Sequence, residues 1–305
     1  MTGLEVRRAA LRLLALCAIA LAGDRLLARA GSAALMSSEL RFSVATRGAL
    51  SAEILVLGDS RAVNSFWTPE LVRVSGRSAF SLAFNGMSTL TAEALLRDYL
   101  GRNQAPRLIV LEVTNVLDNH DLVKALACYW SASPSLDALA LELFPRSHAA
   151  ARVSHLFTLN GEIFLRGLRY LRRSDQDWVN RFAMTPEILA VARAGPPFEI
   201  VAPDESLEAL GRIVALARER NSEIRLVIAP YLPEYIAHAT NWEAFVAELQ
   251  RAAGPGERIL DYSHGDPDSR HFADRLHLNA SGAVPFLERL ARDGVFAIDT
   301  LPSGQ

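Results

Sequence analysis

The chain has 305 residues, half of them hydrophobic, with 34 acidic against 32 basic side chains and a formal net charge of −2. That length and apolar content suffice for a sizeable core in one large domain or a domain with an insertion. The near-neutral balance excludes the basic footprint of a nucleic-acid-binding protein. Cys17 and Cys128 do not form a disulfide framework, because Cys17 lies in the N-terminal apolar run and its removal would leave Cys128 alone.

Arg7, Arg8 and Arg12 precede an apolar run from Leu13 to Ala22, which Asp24 and Arg25 interrupt. The run falls short of the roughly 20 residues of a comfortable bilayer span. It suits the apolar region of a secretory signal, with Ala20-Leu21-Ala22 and Ala28-Arg29-Ala30 as acceptable cleavage sites. A longer helix whose flanking arginines snorkel is the anchored alternative, and an ordinary amphipathic helix is the plainest one. Leu16, not a small residue, precedes Cys17, which argues against a lipoprotein site. Export is expected, with residues 1–30 as signal or anchor and 31–50 as a connector.

Ile54 to Leu57 is an apolar run of the kind that forms a fully buried strand. It stops at Gly58-Asp59-Ser60, residues suited to a tight strand-to-helix turn. In an open α/β sheet such a turn lies at the carboxyl end of a strand, where ligands bind. Asp59 and Ser60 also suit a plain helix cap, so the motif needs a partner elsewhere. Pro69 occupies a first-turn position and predicts a helix through Thr68–Arg73. Phe80–Phe84 reads as a second strand stopping at Asn85-Gly86, followed by a helix from about Ser88 to Asn103. Arg107–Val113 is a third strand, ending in Thr114-Asn115.

From Val116 to about Ala202 the alternation of strand and helix lapses, over a length far beyond an ordinary connection. Helical patterns dominate, including Glu162–Arg173, and predict a helical insertion of about 116–202 beside the active-site edge, a lid or partner surface. Trp130 and Trp178 are expected to be buried packing residues rather than sugar-stacking platforms. Arg166, Arg169, Arg172 and Arg173 have helical spacing; this reads as a solvated face, with phospholipid or an acidic polymer as the alternative.

The α/β pattern resumes at Pro203. Asp204 or Ser206 caps a helix with Leu207, Leu210, Val214 and Ala217 on one face. Glu223–Ala229 is the fourth strand, Trp242–Ala253 a helix and Glu257–Tyr262 the fifth strand. Asn279 caps the last helix, which ends near Gly294. The loop between holds His264, Asp266, Asp268, His271, Asp274 and His277, whose spacing matches no familiar zinc or calcium pattern. No metal and no cofactor is expected.

Asp274-Arg275-Leu276-His277 supplies what Ser60 lacks. A serine hydroxyl is a weak nucleophile until a histidine takes its proton, and a carboxylate fixes the imidazole tautomer. With Gly-Asp-Ser after the first core strand and Asp-x-x-His before the last helix, the chain resembles the SGNH (GDSL-type) hydrolase superfamily. The run Asp274-Arg-Leu-His-Leu-Asn-Ala-Ser-Gly282 looks especially like its membrane-associated, cell-envelope branch. That branch includes the alginate O-acetylation proteins and relatives of the lipoteichoic-acid D-alanylation protein.

The resemblance covers roughly Glu53 to Gly294 outside the insertion, giving an SGNH domain over 51–295 and a tail over 296–305. It implies a flavodoxin-like three-layer α/β/α fold with five parallel strands in the order 2-1-3-4-5. It implies Ser60 as nucleophile, His277 as base and Asp274 as its orienter, with an oxyanion hole from Ser60, Gly86 and Asn115. The activity implied is an O-acyl esterase or O-acyltransferase on an acylated cell-envelope polysaccharide or glycolipid. The same resemblance favours an N-terminal membrane anchor, an extracytoplasmic location and a membrane acyltransferase partner. One departure stands out: many members carry Gly-x-Asn-Asp where this chain has Val113-Thr114-Asn115-Val116, which leaves Asn119 as a rival to Asn115. The weakened block keeps a non-catalytic polymer- or partner-binding protein as the alternative. An α/β-hydrolase is disfavoured, since Gly58-Asp-Ser-Arg-Ala62 only approximates a nucleophile elbow.

Overall fold

The computed structural model describes residues 2–116, 118–266 and 268–298. Two helices come first, α1 (Gly3–Met36) and α2 (Arg41–Arg47). The sheet region then runs β1 (Ile54–Leu57), α3 (Ser60–Ser65), α4 (Thr68–Ser75), β2 (Ala79–Ser81), α5 (Thr89–Leu100) and β3 (Leu108–Glu112). Short helices follow, α6 (Asp121–Ala125), α7 (Pro134–Leu143), α8 (Pro145–Val153), α9 (Glu162–Arg169) and α10 (Pro186–Arg193). The chain closes with α11 (Asp204–Glu219), β4 (Glu223–Ile228), α12 (Pro233–Ile236), α13 (Trp242–Ala253), β5 (Ile259–Asp261) and α14 (Ala280–Arg292).

The five strands form one sheet in the order β2-β1-β3-β4-β5, and every pairing is parallel. Ile54 lies opposite Ala79 on one side and Leu108 on the other, so β1 and β3 occupy the middle. A strand turns successive side chains to opposite faces, and both faces here are covered. Leu55, Leu57, Ile109 and Leu111 enter one core with α5, α11 and α13, whereas Ile54, Val56, Leu108 and Val110 enter the other with α4 and α14. That double burial explains why β1 and β3 read as continuous apolar runs. The fold is a three-layer α/β/α sandwich, as expected.

Element ends move inward from the sequence reading. The second strand is confined to Ala79–Ser81 and the fifth to Ile259–Asp261. The helix expected over Glu162–Arg173 ends at Arg169, after which residues 170–185 run without regular structure. Neither Asp204 nor Ser206 caps α11: the helix begins at Asp204 behind Pro203, with no side-chain cap. Within residues 31–50, Leu35, Leu40, Phe42 and Ala45 are buried in the main core. Of the expected tail, residues 299–305 lie outside the described residues, while Phe296 and Ile298 pack beneath α14. Among the described residues, no helix is long and apolar enough to cross a membrane.

The chain leaves β1 toward β2 on one side and returns to β3 on the other, so the strand order reverses between β1 and β3. In sheets of this kind ligands bind in the crevice at such a reversal, outside the carboxyl ends of the strands. Ser60 follows β1 and Asn115 follows β3 at that edge.

Candidate active site

Gly58 makes the turn after β1 possible. Its φ is +133°, and a Cβ there would lie 2.7 Å from the Ala62 Cβ and 3.1 Å from the Glu112 Cβ. Asp59 then caps α3, its carboxylate accepting from the Arg61 N–H at 2.8 Å. Ser60 becomes the first helical residue, and a backbone N–H in the first helical turn has no intrahelical acceptor. Its hydroxyl stands at the sheet edge, half-buried.

His277 reaches that hydroxyl from the other end of the chain. Its Nε2 lies 2.7 Å from Ser60 Oγ, and its Nδ1 lies 2.8 Å from Asp274 Oδ2. A carboxylate only accepts, so Nδ1 donates and a neutral ring is left with Nε2 as acceptor for the serine O–H. Asp274 Oδ1 also takes the N–H groups of Leu276 at 2.8 Å and His277 at 3.0 Å, which folds the loop and fixes the ring. Burial alone would raise the Asp274 pKa. The hydrogen bonds from His277 and the two backbone N–H groups outweigh it and hold the carboxyl below its ordinary value. The loop is anchored from behind, where Asn279 donates to the Arg270 and Phe272 carbonyls and caps α14.

Asn115 is fully buried. Its side-chain oxygen accepts weakly from Thr89 Oγ1 at 3.4 Å, while its Nδ2 finds no partner among the described residues. A buried amide donor left unmatched is costly and rare, and this one belongs to the residue expected to hold an oxyanion. Gly86 has φ +72° and open space where a Cβ would stand, so its role is conformational and steric access rather than packing. Asn119 is exposed and accepts from the Asp121 N–H at 2.8 Å at the start of α6, which leaves Asn115 as the candidate amide.

Sequence reasoning missed what lies under the site. Arg61, 4% exposed, donates to Glu112 at 3.2 Å and Thr114 at 3.0 Å, and to the carbonyls of Leu276 at 2.7 Å and Ala229 at 2.6 Å. Its guanidinium also sits 3.4 Å from the Tyr231 ring centre. One side chain thus ties the turn at Ser60 to the ends of β3 and β4 and to the residue before His277. Glu112, wholly buried, further accepts from the Ala229 and Thr114 N–H groups. Burial and the neighbouring Glu112 charge push the Asp59 carboxyl up to about 6. The only sequence signals are an acidic residue closing an apolar strand and an arginine directly after the serine.

The insertion does reach this edge. Asn180 N–H donates to Asn64 of α3 at 3.0 Å, its carbonyl accepts from Ala280 of α14 at 2.7 Å, and Trp67 Nε1 donates to the Asp177 carbonyl. Trp130 is buried, as expected, and donates to the Val123 carbonyl. Trp178 corrects the expectation: it is 42% exposed, because residues 170–185 lie over the edge without a helix above them. In the loop before His277, Asp266 pairs with His271 at 2.7 Å and Asp268 with Arg270 at 2.6 Å, so these acids serve one another's neighbours. Asp118, His120 and Glu205 bring three donor atoms within 4.8 Å, with Asp118 and Glu205 exposed.

No protein-family model matches the chain, and no curated protein matches it. Among solved structures it is similar to a Streptococcus pneumonia protein provisionally described as a platelet activating factor, at 15% identity and a TM-score of 0.41. That similarity covers 92% of this chain and 97% of the other. At this distance it carries no argument about activity, which rests on the site itself.

Proposed function

We propose that this protein is an SGNH-type serine O-acyl esterase or O-acyltransferase, acting on an acylated cell-envelope polysaccharide or glycolipid. The observation that carries the reading is the Ser60–His277–Asp274 relay, with hydrogen-bond distances of 2.7 and 2.8 Å. Ser60 Oγ attacks the acyl carbonyl carbon while His277 Nε2 takes the hydroxyl proton. The oxyanion that forms is held by the N–H groups of Ser60 and Gly86 and by Asn115 Nδ2, whose missing partner is then supplied. Collapse expels the sugar alkoxide, which takes the proton back from His277. Water or a second sugar hydroxyl then attacks the acyl-serine, losing its proton to His277; the acyl–Oγ bond breaks, Ser60 Oγ takes that proton back, and the acyl group leaves as acid or as a new ester.

The test is turnover of a small acetyl ester. Ser60→Ala and His277→Ala are each expected to abolish it, and the double variant is expected to be about as inactive as either single. Losses that multiply would mean the residues act independently and would sink the assignment.

The envelope location rests on the N-terminal segment. Within α1, Leu11, Leu13, Leu14, Leu16 and Ile19 are all more than half exposed, an apolar surface on which nothing packs among the described residues. We infer that this segment directs export and tethers the domain near a membrane, where a membrane acyltransferase partner would meet it. A C-terminal alkaline-phosphatase fusion should be active in a bacterial host; an inactive fusion held in the cytosol would remove the case for an envelope substrate.

A further inference from the structure

We propose that Asn64 is a positioning residue for the Ser60–His277 pair, and that through it residues 170–185 of the insertion align the two. The inference rests on the acyl-transfer reading of Ser60 and adds the insertion's part in it. Asn64, 1% exposed, is the fifth of six residues in α3. Its Nδ2 donates to the Ser60 carbonyl at 2.8 Å, and its Oδ1 accepts from the Asn180 N–H at 3.0 Å. A carbonyl only accepts and an amide N–H only donates, so these two partners fix which way the side-chain amide points.

The line of bonds continues to the histidine. The Asn180 carbonyl accepts from the Ala280 N–H at 2.7 Å, three residues beyond His277 at the start of α14. The same segment reaches the other end of the loop, where the Met184 N–H donates to the Phe272 carbonyl at 2.8 Å, two residues before Asp274. Residues 272–280 are thus bracketed by the insertion, with Asp274 and His277 between the two ties. The segment that makes those ties is itself fixed. Asp175 is buried against Arg41 at 2.7 Å, and Gln176 exchanges two bonds with the backbone of Ser81 on β2, at 2.7 and 3.1 Å.

A plain structural role fits less well. Asparagine is a weak helix former, and Asn64 lies inside α3, whose N-terminal cap is Asp59. A helix this short does not hold its place by its own hydrogen bonds. Ser60 Oγ and His277 Nε2 nevertheless meet at 2.7 Å, although 217 residues separate them in sequence. A shift of about 1 Å between reacting groups costs on the order of 100-fold. Asn64 joins the backbone carbonyl of Ser60 to the segment that holds both ends of the loop carrying His277.

The test is the rate of phosphonylation at Ser60 by a fluorophosphonate, read by intact mass on the full chain. Asn64→Ala should slow it about 10-fold or more in an otherwise wild-type chain. In a His277→Ala chain, which has no ring to align, the same change should cost less than about twofold. In the acetyl-ester assay the loss should fall on kcat, with KM within about twofold. Trp67→Phe cuts a 3.1 Å bond to the Asp177 carbonyl outside this line of bonds and should leave both rates unchanged. Asn64→Leu, which fills the space without either bond, replaces the alanine variant if that chain does not fold. Equal losses in the two backgrounds, or no loss, overturn the proposal. If the wild-type chain takes up no label, or labels no faster than His277→Ala, the acyl-transfer reading has failed and hydrogen exchange decides. Faster exchange over residues 271–281 in Asn64→Ala, and not in Trp67→Phe, then supports the tie to the loop. Unchanged exchange overturns the tie as well.

Discussion

At the carboxyl edge of the sheet His277 lies 2.8 Å from Asp274; in the helical insertion His148 lies 2.9 Å from Asp137. By distance the two pairs are alike. His148 is buried with its ring 5.9 Å from that of Trp130, and among the described residues no serine hydroxyl bonds to it. His277 instead has a hydroxyl on its far nitrogen and Arg61 holding the carbonyl of the residue before it, and Asn115, at the carboxyl end of β3, carries an amide with no partner among the described residues. A histidine–carboxylate pair is a common structural device. What defines a reaction centre is the nucleophile and the donors arranged around the place where charge will develop.

A graded series in the ester assay sharpens that contrast. Asp274→Asn is expected to cost on the order of 10^4-fold in turnover, since the amide no longer fixes the tautomer. Asp137→Asn, the same change in the other pair, should leave turnover within about twofold. Asn115→Ala should slow acyl-enzyme formation by roughly 100- to 1000-fold with little change in substrate affinity, as for one oxyanion donor. Asn119→Ala, at the surface, should be nearly silent. A large loss from Asp137→Asn, or from Asn119→Ala with Asn115→Ala intact, would break the comparison.

A smaller effect reads the buried charge beneath Ser60. The folded-state pKa of Asp59 is raised to about 6, against an ordinary value near 4 in an unfolded chain. The folded state thus holds a proton that the unfolded chain gives up. Asp59's contribution is favourable below pH ~4 and is lost as pH rises through about 6. Asn caps a helix as well as Asp, so Asp59→Asn should gain on wild type by on the order of 2–3 kcal/mol between pH 4 and pH 7. Urea midpoints at the two pH values measure it, and a constant difference would show that Asp59 is ionised in both.

The sheet was legible because physics repeats there: strands buried on both faces read as apolar runs, and Gly58 and Asn279 mark the ends of elements, although β2 stops at Ser81, short of Asn85-Gly86. Ser60, Asp274 and His277 were legible through their motifs, and the structure brings all three together although Ser60 and His277 are 217 residues apart. The insertion was legible only as a lapse in the pattern. Its helices are short, residues 170–185 are held by backbone bonds such as those of Asn180, and such contacts leave no periodicity in a sequence. The exposure of Trp178 has the same cause. Arg61 and Glu112 escaped because each looks like a surface residue until the strand ends close around it.

The central claim is that Ser60 is a nucleophile activated by His277. Incubation with a fluorophosphonate, followed by intact mass and peptide mapping, tests it without knowledge of the substrate. One phosphonyl group should attach, with loss of fluoride, at Ser60 of the wild-type chain, far more slowly in His277→Ala and not at all in Ser60→Ala. Labelling that persists in Ser60→Ala, or a folded wild-type protein that takes up no label, would contradict the account.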